Sequence, residues 1–125
     1  MRKIEERMVE AVKSGRSFSL GNTRVEAVRP VGAGSDNFTH QSAVYLHGNL
    51  IAVFSWKYHG LGILRHPSYT LELVRCTLAG WGTVTTRSRL NAICQGLGMR
   101  SRFGQRNHQQ TFDDQVIDSN DWVTL

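Results

Sequence analysis

Hydrophobic positions along this chain repeat with two different periods, and the alternation between them lays out the fold. Ile4, Met8, Ala11 and Val12 share one side of a helix over 3–14. Glu5 and Glu6 suit its first turn and Lys13 its last, as the helix dipole favours, and Gly15 stops it. Phe18 and Leu20 then lead to a Gly21-Asn22 turn signal. Val25, Ala27 and Val28 predict a strand over 23–29, ended by Pro30, and residues 30–40 have a loop composition. Segments 43–47 and 50–56 predict a hairpin about Gly48-Asn49, residue types that accept positive φ. Val44 and Leu46 take one face and Tyr45 the other. Ala52, Phe54 and Trp56 alternate with Ile51 and Val53, which predicts a central strand apolar on both faces. Residues 57–67 read as a long connection, of a length often kept for function. A strand returns over 68–75, with Tyr69, Leu71 and Leu73 on one face.

The clearest helix follows a corner at 79–83. Leu90, Ile93, Cys94 and Leu97 recur at i, i+3, i+4 and i+7, with Thr86 one turn earlier on the same face. Thr83 or Thr85 serves as N-cap and Gly96 or Gly98 as terminator; Ser88, Asn91 and Gln95 fall opposite and should be wet. A second hairpin is expected from 108–112 and 115–117 about Asp113-Asp114, and Trp122 and Val123 can dock the acidic end. The order is helix, four strands, helix, two strands. The fold class is therefore α+β: one domain over 1–125, a small antiparallel sheet of about five to six strands, with an N-terminal and a central helix packed on one face. Trp56, Tyr69, Leu71 and the Leu90/Ile93/Leu97 stripe should supply the core.

Composition narrows the function classes. A chain of 125 residues buries close to two-thirds of its extended surface. Its net charge is +5, and its twelve Arg against three Lys suit bidentate contact to phosphate or carboxylate. Cys76 and Cys94 read as buried thiols of a cytosolic protein. No apolar run approaches the length of a membrane span, the first residues lack the apolar stretch of a signal peptide, and the Asn37-Phe38-Thr39 sequon reads as chance. His40, His47, His59, His66 and His108 form no metal-ligand spacing. Gly60-Leu61-Gly62 is too short for a nucleotide fingerprint, and no nucleophile elbow is present. No cofactor, metal site or catalytic set is expected, and hence no enzyme.

Charge placement is the strongest pattern. Between Glu72 and Asp113 there is no acidic residue but six arginines: Arg75, Arg87, Arg89, Arg100, Arg102 and Arg106. Arg87 and Arg89 stand in the first turn of the central helix, where the dipole favours anions, on the flanks of its apolar face. Each invites either an internal carboxylate or an external phosphate. With Asn91 nearby and Trp81 as an exposed stacking platform between two glycines, the arginines suit a phosphate backbone.

The run Gly80-Trp81…Thr85-Thr86-Arg87-Ser88-Arg89-Leu90-Asn91 resembles a family of small uncharacterised proteins of tailed bacteriophages, whose corner leads into a Thr-Thr-(Arg/Lys)-x-Arg-Leu-Asn helix. Ser17-Phe18…Gly21-Asn22-Thr23, Leu46–Ala52 and Gln105–Gln109 are similar to further parts of that family, so the likeness covers most of the chain. It implies a phage origin and a small α+β fold, not a mechanism. Two functions are therefore expected. The first is a non-enzymatic protein of the host cytosol that binds nucleic acid or a nucleoprotein complex through Arg87, Arg89, Arg100, Arg102, Arg106, Trp81 and Asn91. The alternative is a host-takeover or anti-defence inhibitor, anti-CRISPR-like, whose 57–67 segment meets a host protein through Tyr58, His59, Leu61, Ile63 and Leu64.

Overall fold

The computed structural model describes residues 1–31, 38–62 and 65–125. Part of the expected 30–40 loop, the sequon's Asn37, and Ile63 and Leu64 lie outside the described residues. Helix α1 (Lys3–Ser14) is followed by β1 (Phe18–Leu20), β2 (Thr23–Pro30), β3 (His40–Leu46), β4 (Asn49–Leu61) and β5 (Pro67–Thr77). Helix α2 (Val84–Gly96) leads into β6 (Phe103–Arg106), β7 (Gln109–Phe112), β8 (Gln115–Val116) and β9 (Trp122–Thr124). Strands β1-β2-β3-β4-β5-β9 form a six-stranded antiparallel sheet in that order, and β6-β7-β8 form a separate three-stranded one. The α+β class with an N-terminal and a central helix is thus as read from the sequence. Strands β1, β6 and β9 are additions to the expected order.

One row of residues shows how the main sheet takes its core. Phe18, Val25, Val44, Ala52, Cys76 and Val123 are successive register partners across all six strands. All six belong to a single apolar cluster with Met8, Val12, Leu90 and Ile93 of the two helices, so both helices cover this face. The other face is roofed by long side chains: the Arg24 guanidinium lies 4.1 Å from the Tyr45 ring centroid, and Arg75 stands over Trp122. Among the described residues no helix is long and apolar enough to cross a membrane.

Two expectations change, and one pair of alternatives is decided. The first hairpin turns at His47-Gly48, one residue earlier than Gly48-Asn49, with φ of 51° and 79°. Leu46 then pairs Asn49, and a bulge between Val44 and Tyr45 absorbs the shift. The extra residue is Ile51, buried beside Ala52 while Val53 is only half-buried. The apolar alternation there records a bulge, not a strand covered equally on both sides.

Segment 57–67 is not a long connection. Lys57 pairs Thr70, Tyr58 pairs Tyr69 and Leu61 pairs Pro67, so β4 and β5 continue as a two-stranded arm beyond the point where β3 ends at its His40–Trp56 pair. Past that point no third strand pairs with the arm among the described residues, and Tyr69, expected in the core, is exposed with Tyr58 and Leu61. His40, Tyr58 and Tyr69 pack there ring to ring, with centroids 5.2–5.6 Å apart.

Of the two candidate terminators of α2, Gly98 is the one in the left-handed conformation, at φ 73°, while Gly96 is the last residue of the helix. Gly96 is needed for another reason: a Cβ on it would overlap the Val9 side chain of α1. Gly96→Ala should therefore destabilise the fold. Overpacking of about 1–3 kcal/mol outweighs the ~1 kcal/mol that alanine gains in a helix. A lower thermal midpoint than wild type is the expected readout; an unchanged or higher one would mean that α1 gives way easily.

Candidate nucleic-acid interface

Thr83 caps α2, its hydroxyl accepting from the Thr86 amide at 3.2 Å. The apolar stripe fixes the helix on the sheet, which leaves Val84, Arg87, Ser88, Asn91 and Gln95 along its other side. That side is not simply wet. It forms one wall of an open cleft of about 1020 Å³, whose opposite wall is the strand-rich segment from Arg100 to Asp114.

Asn91 holds the two walls in place. Its side-chain oxygen accepts from the Phe103 amide at 2.7 Å and its nitrogen donates to the Phe103 carbonyl at 2.9 Å. The carboxamide thus pairs with Phe103 as a neighbouring strand would. The Phe103 ring is buried against Phe112, with centroids 4.8 Å apart. Strands β6, β7 and β8 are linked by Asn107-His108 and Asp113-Asp114, all four at φ between 50° and 65°, the conformation that tight hairpins demand. Asp113 ties its turn back to Arg102, accepting from the Arg102 amide at 2.8 Å.

The cleft gathers Arg87, Arg100, Arg102 and Arg106. Arg87 Nη1 donates to the Gly82 carbonyl at 2.8 Å and to Gln110 Oε1 at 3.0 Å. Arg106 Nη2 donates to the Asp114 carbonyl at 3.2 Å. Among the described residues the ion pairs are Arg16–Glu10, Arg24–Glu26 and Arg89–Glu5, so none of the four cleft arginines is matched by a carboxylate within 4 Å. Asp113 and Asp114 also line the cleft, which leaves four guanidinium groups against two exposed carboxylates.

Arg89 does not belong to this surface. It was expected beside Arg87 on the open face and is instead buried, at 3% exposure. Its Nη1 donates to Glu5 Oε2 at 2.9 Å, its Nε to Thr23 Oγ1 at 3.0 Å and its Nη2 to Asn22 Oδ1 at 3.4 Å. Glu5 also accepts from Ser88 Oγ and from the Arg2 amide. Burial pushes the Glu5 carboxyl up, but the bonds from Ser88, Arg2 and Arg89 outweigh it and hold its pKa below the ordinary value. The two invitations posed by the first-turn arginines are thus answered differently, Arg89 by an internal carboxylate and Arg87 by neutral acceptors. Two residues of separation place them 200° apart around the helix, one toward the core and one toward the cleft.

The remaining candidates separate. Asn91 lines the cleft, but its amide is spent on Phe103. Trp81 is 58% exposed yet lines a different hollow, on the other flank of the α2 start. Tyr58, His59 and Leu61 sit on the β4–β5 arm, where His59 Nε2 lies 2.6 Å from Thr70 Oγ1. Gln105, a polar neighbour of the arginines in the sequence, lines the cleft, and so does Gly104, which no sequence signal marks. The thiols are free and buried; burial, with the nearby Asp113 charge, pushes Cys94 up to about 11. Among the described residues no group of three or more His, Cys, Asp or Glu is arranged to hold a metal ion.

Fold and site together define a small α+β protein with an arginine-lined cleft between its central helix and an accessory sheet. The chain belongs to the Kyanoviridae Gp96 protein family, whose family model matches residues 1–124, and so to a phage family of unknown function. No curated protein and no solved structure matches it.

Proposed function

We propose that this phage protein is a non-enzymatic binding protein whose cleft takes the phosphate backbone of a nucleic acid, free or within a nucleoprotein complex. The observation that carries this reading is the convergence of Arg87, Arg100, Arg102 and Arg106 on one open cleft with no carboxylate partner among the described residues. A guanidinium left without a carboxylate in a concave site favours an anion that accepts two hydrogen bonds at once. Among the described residues the cleft's one aromatic, Phe103, is buried, so its contacts are to phosphate and sugar and carry no base preference. The Arg89-Leu90-Asn91 core of the phage-like run has other duties: a buried pair, a core side chain and a backbone clamp. We read that run as a signature of how the cleft is built, not of what it binds.

Arg102 supplies the direct test, since its side chain makes no hydrogen bond among the described residues. Arg102→Ala should lower affinity for an oligonucleotide about tenfold, as loss of one charge-assisted contact implies. It should also flatten the salt dependence by about 0.7–0.9 in log–log slope, and leave thermal unfolding unchanged. Affinity equal to wild type by fluorescence anisotropy would remove the arginine from the interface.

A second reading keeps a specific observation. Leu61 is 63% exposed on the projecting β4–β5 arm, and Tyr58 and Tyr69 are each 38% exposed, a set of apolar anchors for a host protein. Capture of one host protein through this arm, insensitive to nuclease and to Arg102→Ala, would favour that reading over the first.

A further inference from the structure

The start of α2 separates two concavities. Val84 and Arg87 border the arginine cleft, while Thr83, Thr85 and Thr86 border the Trp81 hollow. About one helix diameter, ~10–12 Å, lies between them. The hollow measures about 440 Å³, within the usual size of small-ligand sites of about 300–1,000 Å³. Its floor is apolar, from the buried Leu46, Ile51 and Leu78. Trp81 is its exposed aromatic. The His47 ring, the Asn49 carboxamide and the Thr85 hydroxyl also line it and make no hydrogen bond among the described residues. They offer both donors and acceptors.

An aromatic face, an apolar floor and unspent polar groups of both kinds are what a nucleobase requires. The face accepts its ring, and the polar groups meet its edge. We infer that the Trp81 hollow holds one unstacked base of a single-stranded nucleic acid whose phosphates lie in the arginine cleft. This rests on the phosphate-binding reading and deepens it, because the ligand becomes a single strand. A base paired and stacked inside a duplex presents no free face to Trp81. The two concavities also divide the labour that sequence alone assigns to one surface: charge on one side of the helix start, stacking on the other.

The test compares two labelled strands of equal length, an oligothymidylate and an abasic deoxyribose-phosphate strand, each titrated against the whole protein by fluorescence anisotropy. Wild type should bind the oligothymidylate at least about fivefold more tightly, the factor that one base–aromatic stack supplies. Trp81→Ala should erase that difference and leave the abasic strand's affinity unchanged, and Trp81→Phe should restore most of it. Arg102→Ala should weaken both strands alike. If wild type binds both equally, or Trp81→Ala weakens both to the same extent, no base occupies the hollow, and the phosphate-binding cleft stands without it. If wild type binds neither strand, the cleft reading falls and this inference falls with it.

Discussion

Arg89→Ala should cost about 3–5 kcal/mol of stability, because it leaves the Glu5 carboxylate buried without its cation. At roughly 4 °C per kcal/mol for a domain of this size, the thermal midpoint should fall by more than about 10 °C. Glu5→Gln should be comparably severe, since it strands the guanidinium instead. The pair joins three parts of the chain: the first turn of α1, the first half of α2, and the β1–β2 turn through Asn22 and Thr23. Replacing both members, as in Glu5→Met with Arg89→Met, should recover most of the loss, because apolar side chains of similar volume avoid the desolvation of two charges. Differential scanning fluorimetry of the two single variants and the double one measures this directly. A double variant no better than the singles would mean that the surrounding Ser88, Thr23 and Asn22 groups depend on the charges for their own partners.

The same pair sets a pH dependence. The folded-state pKa of Glu5 is depressed, so its contribution to stability is fully present above the unfolded value near 4.5 and is lost as pH falls through the folded value. Wild type should therefore lose stability progressively below about pH 4.5. The Glu5→Met/Arg89→Met variant should lose less over the same interval.

The second large effect concerns binding. Arg100→Ala, Arg102→Ala and Arg106→Ala combined remove three of the four cleft guanidinium groups and none of the buried pair. If each contributes about tenfold through a charge-assisted bond, affinity for an oligonucleotide should fall about a thousandfold at moderate salt. The thermal midpoint should stay within a few degrees of wild type, because Arg100 and Arg102 make no side-chain hydrogen bond among the described residues and Arg106 makes one exposed bond. A matched loss of stability would show that these arginines support the accessory sheet instead.

What the sequence made legible follows from what has a period. Helix α1 is bounded as its apolar spacing and Gly15 require. The Leu90/Ile93/Cys94/Leu97 stripe sets the orientation of α2, and Asp113-Asp114 marks its hairpin. The bulge at Ile51 was hidden because one extra residue keeps the local alternation while shifting its meaning. The β4–β5 arm was hidden because Lys57, His59 and Gly60 break the apolar pattern, although backbone pairing needs no buried face. At the site, the arginine cluster was visible as a run without acids, but its sorting was not. Arg87 and Arg89 differ by two positions, and only the placement of Glu5, more than eighty residues away, decides which one turns inward. Trp81 was recognisable as an exposed aromatic, yet nothing in one dimension puts it on the opposite flank of the helix from the arginines.

Whether the four guanidinium groups of the cleft meet phosphates is tested most directly by the affinity of the unmodified protein for a single-stranded oligonucleotide across a salt series. With up to four phosphates neutralised, at about 0.7 each for a single strand, log Kobs against log salt should fall with a slope of about −2 to −3. A slope near zero, or no binding at low salt, would contradict that contact.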